Sequence, residues 1–146
     1  MKPLVLTTLA IWLLAAPGAA AADSQEAWAA LVNGSHVALI RHGNAPPGYG
    51  DPPGFRCLET ARLMVLGPVE GTWAVAASDR GPERLAALRQ MLADWRGPGT
   101  LVVVTHTLTV QALVGFMPGQ AETVVVRPKL GNEPGVEVVG RIPSPE

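Results

Sequence analysis

Strands alternating with helices predict an α/β layered domain built on a largely parallel sheet. Two nearly continuous apolar runs point there first, His36–Arg41 and Thr100–Thr105. A strand buried on both faces, as in a parallel sheet, has no polar side to alternate with. The third observation lies between them. Leu85, Leu88, Leu92 and Trp95 recur at spacings of three and four after Gly81-Pro82, which is the period of an amphipathic helix.

The chain opens on an address rather than a fold element. Lys2 supplies a positive start, Leu4 to Leu14 an apolar stretch, Pro17 and Gly18 a break, and Ala20-Ala21-Ala22 small residues ahead of Asp23. That order predicts a secretory signal, with residues 1–22 expected to be removed and residues 23–146 left as one domain. The strongly apolar run is about half of the ~20 residues a membrane span requires. No cysteine stands near the cleavage point, so a lipid anchor is not expected. The mature chain is expected to be periplasmic or secreted.

From Asp23 or Ser24 a short helix is predicted, with Ala27, Trp28, Leu31 and Val32 on one face and Gly34 at its end. His36 should be a half-exposed residue opening the first strand. Gly43 to Gly54 contains Pro46, Pro47, Pro52 and Pro53 and reads as an irregular loop. Cys57 to Leu66 reads as a helix with Leu58, Ala61 and Val65 on one face, stopped by Gly67-Pro68. A strand around Trp73–Ala76 is an ambiguous reading. Pro82 suits the first turn of the next helix, which Gly97-Pro98-Gly99 ends, and its apolar stripe places Trp95, like Trp28, in the core. The second buried strand runs to Thr105, followed by a helix from Leu108 to Phe116. Thr123–Arg127 and Val136–Val139 are two further strands. Arg127-Pro128-Lys129 reads as a solvated basic loop.

Composition narrows the function. Eleven Lys and Arg face twelve Asp and Glu, for a net charge of −1. That balance excludes a binder of nucleic acid or anionic lipid that works by bulk basicity. The single cysteine, Cys57, can form neither an internal disulfide nor a Cys-rich zinc site.

The chemistry-bearing residues stand at two strand ends. Leu39-Ile40-Arg41-His42-Gly43 and Val103-Val104-Thr105-His106 each place a histidine where an apolar strand stops. Ligands of open α/β sheets bind outside the carboxyl ends of strands. If the two strands are neighbours, His42 and His106 meet at one rim. Arg41 ends a run that should be buried, where a charge is normally paired or liganded. Its guanidinium matches phosphate oxygens two at a time, and Gly43 lets backbone approach a ligand.

Leu39-Ile-Arg-His-Gly43, Arg56-Cys-Leu-Glu-Thr60-Ala61-Arg62-Leu63 and Thr105-His106 after an apolar strand resemble, in order, three motifs of the histidine phosphatase superfamily, the phosphoglycerate-mutase-like proteins. Gly50-Asp-Pro-Pro-Gly54 and Trp95-Arg-Gly-Pro-Gly99 resemble its small exported bacterial branch. The resemblance covers nearly all of residues 23–146. It implies a three-layer α/β/α sandwich, here shortened by about one helix and one strand. Arg41 and Arg56 lie only fifteen positions apart, too few for the βαβ unit of roughly 30 residues that the family has there.

The same resemblance implies an exported phosphomonoester hydrolase acting through a phosphohistidine. His42 would be the nucleophile, attacking as neutral imidazole. Arg41, Arg56 and His106, with Gly43, would hold the phosphoryl oxygens. A carboxylic acid would protonate the leaving oxygen, with Asp79 preferred over Glu70 and Glu83. No metal or cofactor is called for. The partner would be a small phosphorylated substrate or inorganic phosphate, with no nucleic acid and no stable membrane insertion after signal cleavage. The alternative is a catalytically impaired relative that keeps the phosphate pocket without turnover, since the shortened interval falls between two catalytic motifs.

Overall fold

The structure is a computed structural model that describes residues 19–43, 55–75 and 81–144. Helix α1 (Ala19–Asn33) precedes strand β1 (Val37–Arg41), followed by α2 (Phe55–Leu63), a single 3-10 turn at Trp73–Val75, and α3 (Gly81–Asp94). Then come β2 (Leu101–Thr105), α4 (Thr107–Val114), β3 (Thr123–Lys129) and β4 (Gly135–Ile142). It is a small α/β fold. Among the described residues there are four helices and one four-stranded sheet in the order β2-β1-β3-β4.

The sheet is mixed, which corrects the largely parallel expectation. β1 pairs with β2 in parallel and with β3 antiparallel, and β3 pairs with β4 antiparallel. Between β1 and β2 the chain has room for α2 and α3, so β2 can return in the same direction. After β2, Gly115 ends α4 in the left-handed conformation (φ 85°) once eight residues have passed. The chain therefore re-enters the sheet from the rim it had just left, and Thr123 pairs with Ile40 near the carboxyl end of β1. Residues 130–134 then join β3 to β4, far short of the dozen residues a parallel crossover takes.

Helices pack on both faces. Val37, Leu39, Val103, Val124 and Val126 meet Leu88 and Leu92 of α3 and Val110 of α4 on one side. Val125 meets Ala27 and Ala30 of α1 on the other. This alternation along β3 follows from the two-residue period of a strand. Gly140 decides how α1 seats. A Cβ there would collide with the Asp23 carbonyl and lie 3.0 Å from Ala27 Cβ, so glycine alone lets α1 lie on β4. The register slips beside this point: Val125 pairs with Gly140 but Val126 with Val138, a β-bulge that bends the strand under the helix.

Several local expectations are corrected. α1 begins at Ala19 rather than at Asp23 or Ser24. Its buried face is Ala27 and Ala30, while Trp28 and Val32 are exposed, because the stripe rotates to meet β4 rather than following its largest side chains. Trp95 is half-buried. α2 stops at Leu63, and Val65, expected on its apolar face, is exposed with φ 52°. Trp73–Val75 is a 3-10 turn rather than a strand. Arg127–Lys129 belongs to β3 rather than a loop, paired with Glu137, Val136 and Gly135 of β4. His36 precedes β1, half-buried, with Nδ1 2.7 Å from the Gly34 carbonyl.

Among the described residues no helix is long and apolar enough to cross a membrane. Residues 44–54, the proline-rich interval, fall outside the description, as does Asp79.

Candidate functional site

β1 and β2 are parallel neighbours, with Arg41 opposite Thr105. The residue after each strand is therefore at the same height on the carboxyl rim. The His42 N–H extends the ladder by donating to the Thr105 carbonyl at 3.0 Å. The two imidazoles come together at a centroid distance of 5.0 Å, edge to face at 73°.

Each ring is held by a different partner. His42 Nδ1 lies 2.7 Å from the Gly43 carbonyl oxygen. A carbonyl only accepts, so Nδ1 carries the proton and Nε2 of the neutral ring keeps its lone pair. Gly43 is itself fixed, its N–H donating to Thr60 Oγ1 of α2 at 3.3 Å. His106 is the residue before the first turn of α4, and its carbonyl accepts from the N–H groups of Thr109 and Val110 at 3.0 Å. The positive end of the α4 dipole thus begins at the site. Cys57 Sγ of α2 lies 3.5 Å from His106 Nε2. Thr105, fully buried, donates its hydroxyl to the Val75 carbonyl at 2.7 Å, tying the 3-10 turn to the end of β2.

Among the described residues, the influences on His106 all act in one direction. Burial holds His106 below the ordinary histidine pKa, and repulsion from Arg84, Arg56 and a protonated His42 pushes the same way. A neutral imidazole among cations is what remains when the local excess positive charge is unfavourable. Arg41 is half-buried, and its Nε is enclosed with no hydrogen-bond partner among the described residues. Burial raises the Cys57 thiol to about 11, so it stays protonated at neutral pH.

The residues singled out from sequence are thus placed as follows. His42, Gly43 and His106 share one rim, with Arg41 at the end of the same strand. Arg56 is on the first turn of α2, exposed, with its charge felt at His106. Glu83 is exposed in the first turn of α3, and Glu70 is exposed in the segment after α2. Asp79 lies outside the described residues.

Two residues at the site were not singled out as site residues from sequence. Arg84, half-buried in the first turn of α3, faces His106 closely enough to lower its pKa. A cation in a first turn opposes the helix dipole, and that mismatch was the available signal. Cys57 is three residues before Thr60, so both share a face of α2, a spacing visible in the sequence but uninformative until α2 is docked.

Compared with known proteins, the chain matches no family model, no curated protein and no solved structure.

Proposed function

We propose that the chain is an exported phosphomonoester hydrolase of the histidine phosphatase type, acting through a phosphohistidine on His42. The observation that carries this reading is the pair of rings 5.0 Å apart at the ends of adjacent parallel strands, with the His42 proton pinned on Nδ1 by the Gly43 carbonyl. That arrangement leaves a basic Nε2 as the nucleophile. The surrounding charges are those a phosphoryl dianion requires, and the enclosed Nε of Arg41 is a donor such an oxygen would satisfy. Helices on both faces of the sheet agree with a shortened phosphoglycerate-mutase-like sandwich.

In this mechanism His42 Nε2 attacks phosphorus in line with the leaving alkoxide. The P–O bond breaks as the P–N bond forms, and a carboxylic acid protonates the leaving oxygen. Asp79 is the preferred acid. Arg41, Arg56, Arg84 and His106 take up the charge on the equatorial oxygens. Water then attacks the phosphohistidine, losing its proton to the same carboxylate, and phosphate leaves with His42 restored.

A specific observation favours the second reading, an anion-binding relative with little turnover. Arg56 is exposed at the start of α2 rather than enclosed as Arg41 Nε is. Steady-state hydrolysis of an aryl phosphate by the full chain, with vanadate binding measured alongside, separates the two. Turnover lost in His42→Ala supports the hydrolase. Vanadate binding without turnover supports the relative, and neither activity nor binding overturns both.

A further inference from the structure

One face of α2 reaches both histidines. Thr60 accepts from the Gly43 N–H at 3.3 Å, and Gly43 in turn fixes His42. Three residues earlier, Cys57 Sγ stands 3.5 Å from His106 Nε2. Positions i and i+3 of a helix are neighbours, so a single rigid element sets the two rings relative to each other. Cys57 is only 5% exposed, and its surroundings keep the sulfur protonated. It is therefore neither a thiolate nucleophile nor a ready target of oxidation. What a buried neutral thiol offers a neighbouring imidazole is a weak hydrogen-bond donor.

We propose that Cys57 is a positioning residue for His106, its S–H donating to Nε2 and so holding the neutral ring with its proton on Nδ1. The two imidazoles then contribute different chemistry. His42 has its Nδ1 proton committed to Gly43 and offers a bare Nε2. His106 has its Nε2 lone pair committed to Cys57 and keeps an N–H to donate. A nucleophile and a donor are the two functions a phosphoryl site needs from a histidine pair, and α2 assigns them. In its catalytic consequence this rests on the proposed hydrolase; the tautomer itself does not.

The test therefore starts with the tautomer. In the full chain with 15N-labelled histidine, long-range 1H–15N correlation spectra at a pH above the His106 titration read which nitrogen bears the proton. The expected result is Nδ1–H for both His42 and His106. In Cys57→Ala the His106 signals should move toward the mixed shifts of a freely exchanging ring while His42 stays unchanged. Cys57→Ser, which restores a donor of similar shape, should return His106 to the Nδ1–H pattern. Finding His106 as Nε2–H in the unaltered chain, or unmoved in Cys57→Ala, overturns the assignment. On an aryl phosphate, Cys57→Ala should lower kcat about tenfold with KM changed less than threefold, and Cys57→Ser should recover most of it. A normal tautomer pattern without turnover sinks the hydrolase and leaves the positioning role standing.

Discussion

The two sides of the sheet are built on different terms. On the β3–β4 side, α1 seats on Gly140, Ser24 Oγ donates to the Arg141 carbonyl at 3.0 Å, and Glu122 accepts from the Gly119 N–H at 2.6 Å and from Arg141 at 2.5 and 2.9 Å. The Arg141 guanidinium also covers the Phe116 ring at 4.5 Å. On the β1–β2 side stand the imidazoles of His42 and His106, Cys57 and three arginines, and the end of α2 and the chain after it leave Leu63, Val65, Leu66 and Trp73 between 59% and 85% exposed. One side joins Glu122, Arg141 and Ser24 in its own hydrogen bonds. The other brings Arg56 and Arg84 near enough to His106 for their charge to lower its pKa. Stability and the proposed chemistry thus rest on different residues and can be perturbed separately.

The largest expected effect tests that separation directly. His42→Ala should reduce aryl phosphate turnover by at least about 10³-fold, since a lost nucleophile leaves only binding and electrostatic stabilisation. Its melting temperature should stay within a few degrees of the unaltered chain. A fall in stability as large as the fall in activity would erase the distinction between the two sides.

The next test runs the other way. Glu122→Ala removes a buried carboxylate (the residue is 7% exposed) and strands the Gly119 N–H and Arg141. About 2 kcal/mol should be lost in chemical denaturation, with vanadate affinity unchanged. Gly140→Ala should cost about 1–3 kcal/mol by overpacking, because the Asp23 carbonyl in the way is backbone and cannot rotate aside. Urea midpoints read both losses of stability, and a vanadate titration reads the affinity.

A smaller effect distinguishes the sides by pH. His106 titrates lower in the fold than in the unfolded chain, so the unfolded state binds its proton first. Its contribution is complete above the ordinary histidine range, near 6.5, and is lost as pH falls through that range. Glu122 is also lowered, chiefly by its hydrogen bonds to Arg141. Its contribution persists above the ordinary carboxylate range and disappears as pH falls through its lowered folded value. Stability should therefore decline in two separate windows. Inorganic phosphate should flatten the upper one alone, because a bound dianion raises the His106 pKa and reverses the sign of its surroundings. A phosphate effect confined to the lower window would contradict the placement of the cationic site.

The smallest effect concerns the exposed apolar segment. Leu66→Ser should change stability by less than about 0.5 kcal/mol, since its side chain is 67% exposed.

Much of this was written in local pattern. Val37–Arg41 and Leu101–Thr105 are strands because their apolar runs permit burial on both faces, and Leu88 and Leu92 are buried because their helical spacing puts them on one stripe. Adjacency of the two strand-end histidines follows from the same reading once the strands pair in parallel. Other features depend on contacts distant in sequence. Trp28 is exposed because α1 turns its alanines to Gly140, a residue more than a hundred positions away. β3 runs antiparallel because α4 ends after eight residues and sends the chain back to the rim it left. Arg84 and Cys57 join the site only when α3 packs against the 3-10 turn, α4 and β3, and α2 docks against β2. Periodicity reports which face of an element is apolar; it carries no information on what that face will meet, and so the partners of His106 were fixed by packing alone.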